Sequence, residues 1–199
     1  MKQLIILIML LNINLAASPQ ETETFTDPRD EKTYKILIIG TQTWMAENLA
    51  YKAGSGCCAY DNNESNVPKY GRLYNWETAK TVCPEGWHLP SDEEWTILTT
   101  FLGGQTVAGG KMKATTDWEY DAEGISTNES GLNILPAGGC DGSGSFNHLG
   151  SNAYFWSGTL GATEEYAVGR RLYNYNSKVN RNDYYRTASY SVRCVKNTP

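Results

Sequence analysis

The sequence predicts an α+β domain, with two helices near the front and antiparallel strands behind them. Two observations carry the prediction. Cys83-Pro84-Glu85-Gly86-Trp87-His88-Leu89-Pro90-Ser91-Asp92-Glu93-Glu94-Trp95 reads as a short strand that turns at a proline and enters a capped helix. From Tyr154 onward, short aromatic and β-branched runs recur between polar stretches. Helical segments followed by a run of strands define this fold class.

The elements follow in order. Met1-Lys2-Gln3, an apolar run from Leu4 to Leu11 and a small-residue end at Ala16-Ala17-Ser18 describe a secretory leader over 1–18. The apolar run is shorter than the about 20 residues a spanning helix needs. Residues 19–32 are polar, carry Pro19 and Pro28, and read as a flexible lead-in. No second apolar span follows, so the mature protein is expected to be soluble or held by partners. Thr33 to Ile39 is β-branched and apolar, a strand. Gly40 ends it, and Gln42-Thr43-Trp44-Met45 returns as the second arm of a hairpin. A loop then holds Cys57-Cys58 and the polar Asp61 to Glu64. Tyr70-Gly71-Arg72-Leu73-Tyr74 is extended, and Asn75 caps a brief helix from Trp76 to about Val82.

Pro90 keeps Leu89 extended. Ser91 with Glu94 three residues on forms a capping box, and Asp92, Glu93 and Glu94 suit the positive end of the helix. Trp95, Leu98, Thr99 and Leu102 recur at helical spacing, and Gly103-Gly104 stops the helix near Leu102. Long Gly-, Asn- and Ser-rich loops follow. Leu132 to Leu135 is a short strand, and further strands are expected at Tyr154–Ser157, Tyr166–Gly169, Arg171–Tyr173 and Tyr190–Val195.

The chain of 199 residues carries a formal net charge of −5. Loss of the leader removes Lys2 alone, leaving 16 bases against 22 acids, or −6. This balance argues against a nucleic-acid partner. The charge is uneven. Ala114 to Gly169 holds eight acids and no Lys or Arg, whereas Arg170 to Pro199 holds seven bases against Asp183 alone. The plain reading is that the two stretches neighbour and offset each other. The sharper one is a basic surface facing an anionic glycan.

Five cysteines cannot all pair within one chain, and in an exported protein at least one bridge is expected. Their spacing fits no zinc pattern. The preferred pair is Cys83 with Cys194, tying an early helix end to the last strand. Such a loop contributes about 4 to 5 kcal/mol in the chain-entropy picture. Adjacent Cys57 and Cys58 are poorly placed to bridge each other, and with Cys140 they stay unassigned.

Several segments together resemble the Fibrobacter succinogenes major paralogous domain family, abbreviated FISUMP. They are Ile39-Gly40-Thr41-Gln42-Thr43-Trp44-Met45-Ala46-Glu47-Asn48-Leu49, Tyr70-Gly71-Arg72-Leu73-Tyr74-Asn75-Trp76, Cys83 to Pro90, Gly131 to Gly138, Trp156-Ser157-Gly158-Thr159 and Ser191-Val192-Arg193-Cys194-Val195. The resemblance covers about Tyr34 to Lys196 and implies one domain over 33–197. It implies a bacterial exported or surface protein with a C-type lectin-like fold, in which a Cys at the first helix pairs with one in the last strand. That agrees with Cys83–Cys194. Family members often carry another Cys just before the tyrosine-glycine-arginine motif, where this chain has Asn66 and Val67. That loop bridge is not expected here, which leaves Cys57 or Cys58 free or paired with Cys140.

Chemistry-bearing residues are sparse. His88 lies inside the Trp87-His88-Leu89 motif and reads as a hydrogen-bonded structural residue. His148 lies in a Gly-rich loop and suits a surface contact. G-x-S-x-G is absent, and Arg170 to Tyr190 has no Cys of the kind the related formylglycine-generating enzymes require. No catalytic residue, metal ligand or cofactor is therefore assigned. Calcium is the one ion to consider, through Asp117, Glu119, Asp121 and Glu123 or through Asp141, but the EF-hand template fails at Ala122 and Asn128. A solvated acidic loop is the simpler reading. The final third instead mixes tyrosine with asparagine and arginine, the residue types of adaptable recognition surfaces. Tyr154, Trp156, Tyr166 and Tyr190 sit in strand patterns and read as core. Tyr173, Tyr175, Asn176, Arg181, Asn182, Tyr184 and Tyr185 flank a polar turn and, with His148 from the loop Asp141 to Asn152, are the expected ligand-binding set. The expected function is non-catalytic recognition or adhesion at the bacterial surface, toward polysaccharide or protein. The rivals are a structural subunit of a surface assembly and an extracellular enzyme with an unrecognised site.

Overall fold

The computed structural model describes residues 23–121 and 124–198, so the expected leader over 1–18 lies outside the described residues. The strands are β1 (Glu23–Thr26), β2 (Thr33–Ile39), β3 (Gln42–Met45), β4 (Cys57–Cys58), β5 (Leu73–Asn75), β6 (Trp87–His88), β7 (Ala137–Cys140), β8 (Phe146–Leu149), β9 (Asn152–Leu160), β10 (Tyr166–Tyr173), β11 (Val179–Tyr185), β12 (Ser189–Ser191) and β13 (Val195–Lys196). The helices are α1 (Val67–Tyr70), α2 (Trp76–Ala79), α3 (Asp92–Phe101) and α4 (Ala108–Met112). Among the described residues, no helix is long and apolar enough to cross a membrane.

Two sheets form. One has the order β1-β2-β3-β13-β6. The other runs β11-β10-β9-β7-β12-β5-β4, with β8 on β7. Pairing is antiparallel except where β9 meets β7 and β12. This is the expected α+β class.

The β2–β3 hairpin closes through Gly40 and Thr41, with Ile39 opposite Gln42. Gly40 supplies the positive φ of 61° that this tight connection requires. At α3 the capping box is complete, Ser91 Oγ accepting from Glu94 N while the Glu94 carboxylate accepts from Ser91 N. Asn75 Oδ1 accepts from Thr78 N and caps α2, which ends at Ala79 rather than near Val82. His88 is structural, its Nδ1 lying 2.7 Å from Asn197 Oδ1 and its Nε2 2.8 Å from Glu94 Oε1.

The core is built on tryptophans. Trp44 and Trp95 have ring centroids 4.8 Å apart, and Trp95 meets Phe155 at 5.5 Å. Several buried indole N–H groups donate to backbone carbonyls: Trp156 Nε1 to Tyr74 O at 2.7 Å, and Trp76 Nε1 to Ser157 O at 2.8 Å. A ring this large then contributes its apolar area without an orphaned donor. The Cys83–Cys194 disulfide is present and closes 111 residues of sequence.

The structure differs from the sequence reading in several places. Part of the stretch read as a flexible lead-in, Glu23 to Lys32, is ordered. There β1 pairs with β2, Phe25 lies 5.1 Å from Trp87, and buried Asp27 takes a forked ion pair from Arg29. Its short polar pattern hides these few anchors. Tyr70 belongs to α1, so the extended run starts only at Leu73. Leu132–Leu135 makes one isolated bridge, Ile134 to Lys113, because Asn133 at φ 51° breaks the extended path. The Tyr190–Val195 strand divides into β12 and β13 on different sheets. The acidic and basic stretches are not each other's main partners. Arg170 and Arg181 pair with Asp92 and Arg186 with Glu77, while Asp117 pairs with Lys69 and Glu129 with Lys111. The helix-start carboxylates Asp92 and Glu77, close in space though remote in sequence, take Arg170 and Arg181 from the strands and Arg186 from the turn after β11.

Candidate functional site

The strands β9, β10 and β11 form one curled ribbon at the end of the larger sheet. Register puts Arg171 opposite both Tyr154 and Asn180, Tyr173 opposite Asn152, and Gly169 opposite both Trp156 and Asn182. Alternation then gathers Asn152, Tyr154 and Trp156 with Arg171 and Tyr173, and with Asn180, Asn182 and Tyr184, on a single face. Leu172, Val179 and Phe155 point the other way, into the core.

Arg171 is the centre of that face. Its guanidinium carbon lies 4.1 Å from the Tyr173 ring centroid and 4.8 Å from that of Tyr154. In the amide orientation that satisfies its neighbours, the Asn152 side-chain oxygen accepts from Arg171 Nη2 at 2.9 Å. The Arg171 Nε is buried without a hydrogen-bond partner among the described residues, and no carboxylate there forms an ion pair with it. The cation is thus held by ring faces and an amide.

Around it the rings continue. Tyr154 and Tyr190 stack at 4.7 Å with planes 11° apart, and Tyr184 stands edge-on to Tyr154, Trp156 and Tyr190. Glycines make the room. A Cβ at Gly169 would lie 2.9 Å from the Tyr184 ring, and one at Gly139 would lie 2.8 Å from the Tyr190 ring. Burial pushes the Tyr184 and Tyr190 hydroxyls well above the ordinary tyrosine range. His148 closes one side, with Nδ1 3.0 Å from the Tyr154 hydroxyl and 2.6 Å from Asn147 Oδ1. Burial, and then the Arg171 charge, lower its pKa and favour the uncharged imidazole. Tyr175 extends the row outward, 5.0 Å from Tyr173 and 56% exposed.

The expected binding set therefore divides. Tyr173, Tyr175, Asn182, Tyr184 and His148 meet on this face. Tyr184 is half-buried and packs on the core, where a freely exposed ring was expected. Arg181 and Tyr185 point from the other face of β11. Arg181 Nε donates to Asp92 Oδ2 at 2.8 Å, and Tyr185 lies 4.4 Å from Tyr166. Asn176 is a turn residue, its carbonyl accepting from Lys113 Nζ and its side chain from Lys178 N. The segment read as one polar turn is a turn over 174–178 followed by the strand β11. Of the four aromatics read as core, Tyr154 and Trp156 are buried, whereas Tyr166 and Tyr190 are only half-buried. The sequence reading missed Arg171. Its signal was the period of two in Gly169, Arg171 and Tyr173.

Three of the carboxylates weighed for calcium have protein partners, and Glu123 lies outside the described residues. Asp117 pairs with Lys69, Asp121 Oδ1 accepts from Ser126 Oγ at 3.0 Å, and Asp141 Oδ1 accepts from Ser143 N at 2.9 Å and Ser145 N at 3.1 Å. Cys57, Cys58 and Cys140 are unbridged. Burial first, and then the neighbouring Cys140 and Cys57, raise the Cys58 pKa to about 11.

By fold, then, the protein is an α+β domain that carries an aromatic and arginine face on its larger sheet. The family model described as the Fibrobacter succinogenes major domain matches residues 37–196, and the chain belongs to that family. No curated protein and no solved structure matches the chain.

Proposed function

We propose that this protein is an exported, non-catalytic recognition module of C-type lectin-like architecture that acts at the bacterial surface. The face of Tyr173, Tyr175, Arg171, Asn182, Tyr184 and His148 binds polysaccharide. The observation that carries the reading is Arg171, a cation lodged between two tyrosine rings with no carboxylate partner among the described residues. Sugar rings stack on aromatic faces, and the guanidinium and amides supply hydrogen bonds and favour glycans that bear negative charge. The fold provides the platform and does not name the sugar.

The test is an array of glycans and cell-wall polysaccharides, probed with and without calcium. Capture is expected to fall at least tenfold in Y173A/Y175A and in R171Q and to persist in Y185A, with melting temperatures checked for each variant. Capture that Y185A abolishes and Y173A/Y175A leaves intact would place the site elsewhere. No capture by folded protein would turn the reading toward a protein partner or, with concentration-dependent oligomers in sedimentation, toward a surface assembly. Calcium is not required in this reading, so chelator is expected to leave capture unchanged.

A further inference from the structure

A cavity of about 510 Å³ lies away from the aromatic face and shares no residue with it. Its wall includes Lys32, Glu47, Asn48, Lys69, Asn133 and Arg193. Glu47 and Asn48 follow β3, Asn133 follows α4, and Arg193 lies between β12 and β13. Three separated stretches, each within a segment that carries the family resemblance, thus bring polar side chains to one hollow. Gly71 joins them from a fourth such segment. There φ is 73°, and a Cβ would stand 2.7 Å from Asn48 Cβ, so the chain passes as close as it can.

Arg193 is the unusual member. It is 2% exposed, yet no carboxylate among the described residues forms an ion pair with it. Nε donates to Asn48 Oδ1 at 2.9 Å and Nη1 donates to the Leu132 carbonyl. Nη2 makes no hydrogen bond among the described residues. Asn48 is itself fixed, its Nδ2 donating to Tyr70 O at 2.9 Å and to Ser191 Oγ at 3.3 Å. The guanidinium is therefore held rigidly with part of its donor capacity unused. Glu47 in the same wall acts on the guanidinium from beyond ion-pair distance, so the buried cation is only partly compensated, and a further anionic group would relieve the rest. Lys69 is already neutralised by Asp117. Lys32 has no carboxylate partner among the described residues and lies 5.3 Å from the Tyr34 ring centroid. Glu47 and Asn133 add a carboxylate and an amide, which suit hydroxyl groups.

We propose that this cavity binds a carboxylate-bearing sugar residue, its carboxylate on Arg193 Nη2 and Lys32 and its hydroxyls on Glu47 and Asn133. The volume is that of a small-ligand pocket. The mostly polar wall matches a hydroxylated acid better than an apolar ligand. The site stands independently of the aromatic face.

Calorimetric titration of the full protein with glucuronate and galacturonate disaccharides tests the assignment, with the neutral glucose disaccharide and acetate as controls. Saturable binding of a uronate is expected, at least tenfold tighter than either control. K32Q is expected to weaken it about threefold to tenfold, and R193Q to abolish it. R193Q removes buried hydrogen bonds, so K32Q and E47Q carry the test if R193Q fails to fold. E47Q removes a hydroxyl partner and a neighbouring negative charge, so it is expected to strengthen acetate while narrowing or erasing the uronate's advantage over acetate. R171Q is expected to leave this binding intact, which separates it from the aromatic face. The assignment is overturned by no uronate binding to folded protein, by glucose or acetate binding equally well, or by uronate binding that R171Q removes and K32Q does not.

Discussion

Asp92 bridges two arginines of very different burial, and its removal should expose that difference. Arg170 is 0% exposed on β10, and its Nη2 donates to Asp92 Oδ1 at 2.6 Å, to Asp92 O at 2.8 Å and to Thr96 Oγ1 at 3.1 Å. Its Nε and Nη1 have no partner among the described residues, so Asp92 is its main compensation. Burial lowers the Arg170 pKa and Asp92 works against that shift. Arg181 reaches the other oxygen of Asp92 from the surface. Breaking a buried pair from one side costs about 3–5 kcal/mol, because the remaining charge stays buried alone. An exposed pair contributes about 0–1 kcal/mol. D92A is therefore expected to lose about 3–5 kcal/mol, D92N less because its amide oxygen still accepts, and R181A under about 1 kcal/mol. Urea unfolding measures all three. In thermal scans D92A should melt about 6–20 °C lower at the scaling for a domain of this size. Equal losses in D92A and R181A would refute the reasoning, since the asymmetry rests on Arg170 alone.

Other expectations follow from the same physics. Closing 111 residues, the Cys83–Cys194 bridge contributes about 4.8 kcal/mol in the chain-entropy picture, so C83A/C194A should melt about 10–19 °C lower, less any cavity effect. Lys113 is fully buried, and burial lowers its pKa from 10.5 to about 8. Between those values the unfolded chain binds the extra proton, so stability should rise with pH, by about 2 kcal/mol from about pH 7.5 to about 9.5. K113M should flatten that slope in urea titrations at each pH. At Gly169 a Cβ would stand 2.8 Å from Phe155 O, so G169A should lose about 1–3 kcal/mol and disturb near-ultraviolet dichroism from the tyrosines packed above it.

The parts of the fold legible in the sequence are those set by local chemistry. The Thr33–Ile39 and Gln42–Met45 hairpin has its expected limits, since its apolar pattern and Gly40 are local signals. The capping box fixed the start of α3 at Asp92. Strand β11 was hidden because Asn180, Arg181, Asn182 and Asp183 look like a loop. At a sheet edge a strand needs pairing on one side only, and polar residues there discourage unwanted association. The binding set was half legible for the same reason. Residue type marked Tyr173 and Tyr175, but only register tells that Tyr185 and Arg181 face away from them. Arg171 was missed because its period of two marks only a face, while its meaning lies in the rings on either side of it. The cavity around Arg193 was invisible too, since its wall comes from stretches as far apart as Asn48 and Arg193.

The long-range disulfide also decides how the domain would carry a load. A pull on the backbone upstream of Cys83 and downstream of Cys194 passes through the sulfur link and bypasses the 111 residues between them. At about 3.3–3.6 Å per residue, some ~370–400 Å of contour is withheld from extension. The peelable parts are the stretch before Cys83, with β1 to β5, and the short β13 after Cys194, whereas β9, β10 and β11 lie inside the covalent loop. A tether stretched by flow or by a bound surface would thus lengthen chiefly from its β1 side while the tyrosine face kept its shape.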